Sequence, residues 1–465
     1  MPIGLTYGPR CHVAHSLNRR TCQLSAIQQR SRLCLVASGS DDVSSLLGDI
    51  GLPDIDQDLE GYQEEAGAVF IDGQSVPVSY GNNSKAIYSV EEDGVLLDAS
   101  DCPRIRVAGP DAAAFLHGQT SVNVEGIRPG NSKEACILTA QGRIIDLVLL
   151  VRTESGFLVI CSPGMGQHIA DHFRKHIFMS DDVEVQDVSA ATAMFRVMGP
   201  KSNDILYTLE LSETVLGGEF GTHEVVGFDG EPLIVIKGTD LGYSGYTLII
   251  SESGAAALWS TLSAFEIEPM GTEAWNIARI LSGRPKVPSE LNDSYTPFDC
   301  GLYHTVCLNK GCYVGQEALA KIYNLDAGKW EMWGLAVEKP CAAGDEIFVV
   351  TSEGHAKAGK VSSYVDTVAG EHRALCFLDR KLLGKEHMPS TWNGTVVNVG
   401  EDMVQAYVKS VPYPTRALND CDRPKKSVDA KLAQGKVAHQ DEKSRDDKLR
   451  QMQERLDAWK SSQNN

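Results

Sequence analysis

The segment Lys310-Gly-Cys-Tyr-Val-Gly-Gln-Glu317 carries the residues of this sequence that are best suited to chemistry. Two glycines bracket a Cys-Tyr pair, so the backbone there can adopt tight or positive-φ geometry. Residues 316–323 have the pattern of a helix, which places Cys312 just before a helix N-terminus. Partial positive charge at such an end stabilises a thiolate, and Lys310 adds a nearby cation.

A thiol in this setting could be a nucleophile, a redox-active group or a metal ligand. The alternative is a buried cysteine that only packs in a tight turn, and the residues alone leave these choices open. A shared metal cluster is not expected, because Cys300, His304, Cys307 and Cys312 have neither zinc nor iron–sulfur spacing. We therefore predict no metal site.

Composition limits the class of protein. The chain has 465 residues, of which 42% are hydrophobic and 23% charged, so disordered, collagenous and disulfide-scaffold classes are excluded. Its apolar runs are far shorter than the ~20 residues that span a bilayer, and no membrane partner is predicted. Residues 39–415 hold 26 basic and 53 acidic residues, and such an acidic body repels phosphate backbones. No nucleic-acid partner is predicted either.

The two ends of the chain differ from its middle. Residues 1–38 contain five Arg and no acid, and they lack the apolar core of a secretory signal, which predicts an organellar transit peptide. Residues 39–84 are predicted to be an acidic, partly disordered lead-in. Residues 416–465 are predicted to be a charged tail, disordered or helical. Twelve cysteines without any C-x-x-C pair indicate a reducing compartment.

The middle of the chain contains a short internal repeat. Arg106-Val-Ala-Gly-Pro110 recurs as Arg196-Val-Met-Gly-Pro200, each time between a predicted strand and a predicted helix. This repetition predicts two related α+β halves that share a core, in a body that spans residues 85–325. Residues 330–415 contain short β-rich runs separated by turn residues, which predicts a small C-terminal β-barrel.

The octapeptide resembles the K-G-C-Y-x-G-Q-E signature of the YgfZ-type folate-binding proteins, which are relatives of the glycine-cleavage T-protein, an aminomethyltransferase. Further matches are Phe115-Leu-His-Gly-Gln119, Gly142-Arg-Ile-Ile-Asp146, Ala278-Arg-Ile and Gly283-Arg-Pro285, and the resemblance covers about residues 85–415. It implies a T-protein-like α+β body that binds folate, closed by the C-terminal barrel. The implied cofactor is tetrahydrofolate or a folate derivative.

The resemblance also implies roles for particular residues. By motif position, Asp146 corresponds to the acid that assists one-carbon transfer beside the folate amine nitrogens, and a carboxylate at a strand end can accept a proton. Cys312, Lys310 and Asp146 are therefore the predicted catalytic residues. The residues expected to contact the cofactor are Asp146, Tyr243, Arg279, Tyr313, Gln316 and Glu317.

One stretch departs from the aminomethyltransferase pattern G-E-x-G-[FY]-E. The matching residues are Gly242-Tyr-Ser-Gly-Tyr-Thr247, so Tyr243 and Thr247 stand where carboxylates are expected. A pterin could still stack on Tyr243, but no carboxylate in this stretch can accept a hydrogen bond from its amino group. The departure argues against aminomethyl transfer.

The leading hypothesis from the sequence is a tetrahydrofolate-binding accessory factor for the assembly or repair of iron–sulfur proteins, in which Cys312 faces the folate cavity or its rim. Its expected partners are iron–sulfur client proteins or assembly factors. The alternatives are a folate-dependent aminomethyltransferase and a non-catalytic folate- or cluster-binding module. The pieces at residues 176–187 and 199–203 resemble the plastid branch, which favours the chloroplast over the mitochondrion.

Overall fold

The structure is a computed structural model that describes residues 58–352, 354–367, 370–382 and 392–418. The predicted transit peptide (1–38), the first part of the predicted lead-in and the tail beyond residue 418 lie outside the described residues. No helix in the described ranges is both long enough and apolar enough to cross a membrane.

The described residues form nine α-helices and seventeen strands, which we number in chain order. The helices are α1 (Leu59–Glu65), α2 (Asn83–Glu92), α3 (Ala112–Gln119), α4 (Gly166–His176), α5 (Ser202–Thr208), α6 (Glu213–Gly217), α7 (Ala255–Ser263), α8 (Thr272–Ser282) and α9 (Gln316–Asn324). The strands of the body are β1 (Val95–Asp98), β2 (Arg104–Ala108), β3 (Ser132–Leu138), β4 (Ile144–Thr153), β5 (Gly156–Ile160), β6 (Glu184–Asp187), β7 (Thr192–Met198), β8 (His223–Phe228), β9 (Glu231–Lys237), β10 (Gly245–Ser251) and β11 (Glu268–Met270). The later strands are β12 (Trp330–Val337), β13 (Glu346–Thr351), β14 (Gly354–Asp366), β15 (His372–Asp379), β16 (Val396–Val399) and β17 (Val404–Lys409).

Two sheets build the body. The first has the strand order β3-β4-β5-β2-β6, and the second has the order β11-β1-β7-β10-β9-β8. Helices α3 and α4 pack on one face of the first sheet through Leu116, Ile169 and Phe173, all of which are buried. Helices α5 and α7 cover one face of the second sheet, where Trp259 is 1% exposed. The remaining faces of both sheets are left to line a shared interior.

The repeated Arg-Val-x-Gly-Pro motif has the same backbone geometry in both halves. Gly109 ends β2 with φ +110° and Gly199 ends β7 with φ +108°, and in both cases a Gly-Pro pair leads into a helix. A Cβ atom on Gly109 would lie 2.1 Å from the carbonyl oxygen of Asp182, and one on Gly199 would lie 2.9 Å from that of Asp93. Only glycine fits these two turns. The prediction of two related α+β halves is confirmed.

The second half of the predicted lead-in, residues 58–84, belongs to the folded body. The Asp58 side chain caps α1, and Gln63 donates a hydrogen bond of 2.7 Å to Asp98 of β1. Val76 and Val78 are buried. The acidic composition of the segment as a whole gave no sign of these few apolar residues. They pack in the body, while the carboxylates of the segment face water.

The six strands β12 to β17 close into a barrel in the order β12-β15-β14-β13-β16-β17, which confirms the predicted C-terminal β-barrel. After the barrel the chain returns to the body as residues 411–418, which we call the C-terminal strap. The Tyr413 N–H bonds the Ser282 carbonyl at 2.8 Å and the Thr415 N–H bonds that of Gly301 at 2.6 Å. Leu418 is buried, so the predicted tail cannot begin at residue 416.

Candidate functional site

A cavity of about 690 Å³ lies in the body, lined by residues of both sheets. The first sheet contributes Leu147 and Leu149 of β4, and the second contributes Arg196 of β7 and Thr247 of β10. This volume is in the range of small-molecule and cofactor sites, about 300–1,000 Å³. The cavity is therefore the candidate functional site.

A buried ion pair lies on the wall of the cavity that the second sheet forms. Arg196 Nη1 is 3.0 Å from Asp240 Oδ2, and both side chains are about nine-tenths buried. Trp275 Nε1 approaches the other carboxylate oxygen at 3.5 Å, and Arg196 Nη2 approaches the Cys102 thiol at 3.9 Å. Because these groups hold one another, the ion pair is a fixed, charged part of the cavity wall.

A second charged network connects the cavity to the C-terminal strap. Arg284 Nη1 donates to Glu134 Oε1 at 2.9 Å, and the guanidinium also hydrogen-bonds the Tyr413 hydroxyl. His304 Nε2 and the Tyr413 hydroxyl contact Glu134 at 3.1 and 2.9 Å. Burial alone would raise the pKa of Glu134, but the charge of Arg284 and the hydrogen bonds from His304 and Tyr413 outweigh it and lower the pKa to about 2.

This network predicts a pH dependence of stability. The carboxyl of Glu134 has a pKa of about 2 in the folded protein and 4.5 ordinarily, so its contribution is complete above pH 4.5 and is lost as the pH falls toward 2. We expect the free energy of unfolding of the wild type to fall by about 3 kcal/mol more over this interval than that of Glu134→Gln. Urea unfolding at several pH values measures this difference. Parallel curves for the two proteins would contradict it.

Two further carboxylates line the cavity beside the ion pair. Asp98 is almost fully buried and accepts hydrogen bonds from Gln63 and from the Ser100 N–H. Asp101 is largely buried, and this burial raises its pKa despite the nearby charge of Arg196. Lys286 also lines the cavity, and burial lowers its pKa. The site therefore mixes acids and bases and carries no large charge of one sign.

Asp146 lies behind the cavity wall rather than on it. Its side chain is fully buried and absent from the cavity wall, whereas the next residue, Leu147, lines the cavity. The carboxylate accepts the N–H of Leu147 at 2.8 Å and that of Ser162 at 3.0 Å. Burial raises the pKa of Asp146 to about 6, although these hydrogen bonds act to lower it. Consecutive strand residues point to opposite faces, so Leu147 lines the cavity and Asp146 does not, and contact of Asp146 with the cofactor stays a prediction.

Arg279 is also placed outside the cavity wall. It forms a buried ion pair with Glu290 at 3.1 Å, in which the side chains are 3% and 0% exposed. Its other terminal nitrogen donates to Ser363 of the barrel strand β14 at 2.8 Å. Its donors join α8 to the barrel, and binding of the cofactor by Arg279 stays a prediction without support from this placement.

The two residues at the departure from the aminomethyltransferase pattern have different positions. Thr247 lines the cavity, but its hydroxyl donates to the Gly238 carbonyl at 3.0 Å. Tyr243 packs against the core between the sheets and is not among the residues that line the cavity. Its contact with the cofactor stays a prediction.

The octapeptide lies at the C-terminal end of α3 rather than at the cavity. Lys310 Nζ donates to the carbonyl oxygens of His117, Thr120 and Val122 at 2.5, 2.7 and 2.6 Å. Its ammonium also lies 4.6 Å from the centre of the Tyr313 ring. Burial lowers the pKa of Lys310 to about 7. The three hydrogen bonds of Lys310 fix the loop to the end of α3, and its predicted role as an activator of the thiol stays a prediction.

Cys312 lies on the surface of this loop. Among the eight cysteines in the described part of the chain, six are buried and Cys312 is exposed. It precedes the N-cap of α9, Gly315, by three residues. The predicted placement of Cys312 at the cavity or its rim is wrong, since it is absent from the cavity wall, but its thiol is reachable from solvent.

The remaining octapeptide residues shape the loop. Gly315 has φ +85°, and a Cβ atom there would lie 2.7 Å from the Thr139 carbonyl oxygen and 3.1 Å from the Gly142 Cα. The octapeptide therefore contacts the start of the motif Gly142–Asp146 at this glycine. Tyr313 is buried, and its N–H donates to Gln316 Oε1 at 3.1 Å. Glu317 is exposed. None of Tyr313, Gln316 and Glu317 lines the cavity, and their contact with the cofactor stays a prediction.

Sequence reasoning missed the residues that do line the polar part of the cavity. They are Asp101, Glu134, Arg196, Asp240, Trp275 and Arg284. The sequence contained one indication of this site. Arg196 is the charged residue of the largely apolar strand β7, and a charged residue in such a strand is rarely buried without a partner. Its partner Asp240 is 44 positions away and follows β9, so no local pattern joins the two.

Comparison with known proteins identifies the class. The GCVT N-terminal domain family matches residues 59–310, which is more than half of the chain, and the chain belongs to that family. An Arabidopsis thaliana protein with the name "Putative transferase At1g60990, chloroplastic" is 34% identical over 403 residues, which cover 86% of this chain and 88% of that protein.

More distant relatives agree with this assignment. The aminomethyltransferase of Streptomyces coelicolor is 28% identical over 275 residues, covering 57% of this chain and 72% of that enzyme. The crystal structure of the glycine cleavage system aminomethyltransferase T from Bartonella henselae superposes with a TM-score of 0.66 at 21% identity, covering 78% of this chain and 98% of the other. The predicted T-protein-like fold is confirmed.

Proposed function

We propose that the cavity between the sheets binds tetrahydrofolate or a close folate derivative. The observation that carries the proposal is a partly open cavity of about 690 Å³ whose wall combines the Arg196–Asp240 ion pair with apolar side chains. A pterin ring has N–H donors and a ring carbonyl, for which buried carboxylate and guanidinium groups are suitable partners. Family membership supports the same ligand, since relatives are named aminomethyltransferases.

The residues of the cavity fit the parts of such a ligand. The carboxylates of Asp101 and Asp240 can accept the amino and ring N–H groups, a role that Tyr243 and Thr247 cannot fill because neither side chain is an acid. Trp275 and the leucines Leu147 and Leu149 supply apolar and aromatic wall for the ring system. A bound reduced folate would supply nitrogen atoms that carry a one-carbon unit, and the surrounding side chains would orient it.

A binding measurement tests this proposal. We expect calorimetric titration of the purified protein with 5-formyltetrahydrofolate, a stable reduced folate, to give saturable 1:1 binding. Cys312→Ser should bind equally well, because Cys312 is not part of the cavity wall. Absence of binding to the wild-type protein would overturn the proposal.

We also propose a role for the exposed thiol: the chain acts in the plastid as a folate-binding accessory factor for the assembly or repair of iron–sulfur proteins. The support is the whole octapeptide, which resembles the YgfZ-type signature, together with the exposure of Cys312 and the rigid attachment of its loop through Lys310. The chloroplastic name of the Arabidopsis relative supports the location. The iron–sulfur clients or assembly factors would contact the loop from outside.

A plant that carries Cys312→Ala in place of the wild-type protein tests this role. We expect the activity of a plastid [4Fe–4S] enzyme to fall while its protein level and the level of the variant stay normal. Cys341→Ala, at a half-buried cysteine of the barrel, is the matched control. Unchanged enzyme activity with Cys312→Ala would remove the role of the thiol and leave the folate proposal standing.

The second candidate function is folate-dependent aminomethyl transfer. The observation in its favour is the name of the bacterial relatives, and the observation against it is Thr247 on the cavity wall in place of an acid. Production of ammonia and methylenetetrahydrofolate from an aminomethylated lipoyl protein would establish it.

A further inference from the structure

The turn that follows α4 exposes two large apolar side chains. Phe178 is 74% exposed, and Met179 is fully exposed. The turn is nonetheless fixed, because the Phe178 N–H donates to Asp181 Oδ2 at 2.9 Å and the Asp181 N–H donates to the Phe178 carbonyl at 2.9 Å. The Asp182 N–H donates to Asp111 Oδ2 at 3.0 Å, which ties the turn to the start of α3. An apolar protrusion that is already ordered can anchor a protein partner at a low cost in entropy.

The strand that follows this turn, β6, has an open outer edge. β6 pairs antiparallel with β2 as β1 pairs with β7, so β6 and β1 are equivalent strands of the two halves. β11 covers the outer edge of β1, whereas β6 is the last strand of its sheet. Among the described residues, the first half therefore has no strand in the place that β11 fills in the second.

The backbone of Val185 is available at this edge. The Val188 N–H bonds the Arg104 carbonyl at 2.9 Å, and hydrogen-bonded and non-hydrogen-bonded pairs alternate in an antiparallel ladder. The pair of Val107 and Val185 is then a non-hydrogen-bonded one, so the N–H and carbonyl of Val185 point away from β2. That carbonyl accepts a long hydrogen bond of 3.4 Å from Arg174, a half-exposed side chain that a partner strand can displace.

The charge around the turn and the edge indicates the chemistry of the partner. Residues 177–187 contain no basic residue and four acids, which are Asp181, Asp182, Glu184 and Asp187. Arg106 faces one of them, Glu184, at 3.8 Å. A second copy of this chain would bring like charges together at this edge, and anionic lipid headgroups would be repelled. The surface is complementary to a protein that has an apolar pocket with a basic rim.

Helix α3 connects this surface to the Cys312 loop. Its start is tied to the turn through Asp111, and the carbonyls at its end accept the hydrogen bonds of Lys310. The eight residues of α3 rise about 12 Å, whereas a standard interface of about 800 Å² per partner is about 30 Å across. Ala114 is exposed on α3, and a Cβ atom on Gly118 would meet nothing within 4 Å. One partner can therefore cover the turn, the helix and the loop together.

We propose that the Phe178–Met179 turn, the outer edge of β6 and the exposed side of α3 form the surface on which an iron–sulfur client or assembly protein docks. The partner contributes an apolar pocket with a basic rim and an extended segment that pairs with β6. This inference rests on the proposed role of Cys312 and adds the surface that holds the partner against its loop.

Photo-cross-linking tests whether one protein covers both regions. The purified protein carries a photoreactive phenylalanine in place of Met179, Glu317 of the octapeptide, or Tyr207, and is irradiated in plastid stroma. Tyr207 is 75% exposed on α5 in the second half and is the matched control. We expect positions 179 and 317 to capture the same protein and position 207 not to capture it. Glu184→Lys should lower the yield at position 179, because it opposes the basic rim.

A plant that carries Phe178→Ser/Met179→Ser in place of the wild-type protein tests the effect on the client. We expect the activity of the plastid [4Fe–4S] enzyme to fall as far as it does with Cys312→Ala, and Tyr207→Ser to leave it unchanged. Ala114→Arg keeps both apolar residues but obstructs α3, and it should cause the same loss. Binding of 5-formyltetrahydrofolate should be unchanged in all of these variants, because none of the substituted residues lines the cavity.

The outcomes separate the inference from the function on which it rests. Normal enzyme activity with Phe178→Ser/Met179→Ser, in plants where Cys312→Ala lowers it, overturns the inference and leaves the role of the thiol intact. Capture of different proteins at positions 179 and 317, or of a second copy of this chain, overturns it as well. Normal activity with Cys312→Ala overturns the proposed role of the thiol and the inference together.

Discussion

Leu149→Trp is expected to weaken the binding of 5-formyltetrahydrofolate by more than about 100-fold while the protein remains folded. Leu149 is half-buried on β4, and its side chain lines the cavity. A tryptophan there extends into space that the ligand needs rather than into packed core, so it fills the site with little overpacking. Calorimetry measures the affinity, and circular dichroism and thermal unfolding check the fold.

The matched control is Val350→Trp, which adds the same ring at a 72% exposed position on the barrel. We expect this variant to bind the ligand as the wild type does. If Leu149→Trp binds 5-formyltetrahydrofolate with unchanged affinity, the ligand occupies another part of the molecule and the cavity is not its site.

Arg279→Met is expected to lower the free energy of unfolding by about 4 kcal/mol, because it leaves the fully buried carboxylate of Glu290 without its cation. Glu290 also accepts a 2.6 Å hydrogen bond from Ser363 of the barrel, so the change weakens the attachment of the barrel to α8. Urea unfolding measures the loss. Folate affinity should stay within about twofold of wild type under conditions where the variant is folded.

The double variant Arg279→Met/Glu290→Leu distinguishes a structural ion pair from a ligand contact. Removing both charges should recover at least half of the lost stability, because no uncompensated charge remains. The opposite result is a stable Arg279→Met that has lost folate binding. It would restore the role that the sequence resemblance gave to Arg279 and contradict the assignment of the cavity as the folate site.

The fold could be predicted from the sequence because its signals are local. The Gly-Pro turns after β2 and β7 need glycine for steric reasons, and the sequences of α4 and α8 have the apolar spacing of helices. The barrel is marked by short alternating strands between turn residues. The start of the body was predicted too late, because α1 is a single short helix in an acidic segment.

The site could be predicted only in part. The motifs containing Asp146 and Cys312 were recognised, but the direction of each side chain depends on strand register and on contacts between distant segments. Lys310 illustrates the difficulty, since its three acceptors lie about 190 positions earlier in the chain. Glu134 of the cavity wall likewise accepts a hydrogen bond from Tyr413, which lies 279 positions later in the chain. No spacing pattern in the sequence predicts that contact.

A crystal structure of the protein with 5-formyltetrahydrofolate tests the central claim most directly. We predict that the pterin ring lies inside the cavity, between Leu149 of the first sheet and Arg196 of the second, with its N–H groups on the carboxylate of Asp240. Density for the ligand at the Cys312 loop or elsewhere on the surface, with the cavity holding only solvent, would contradict it.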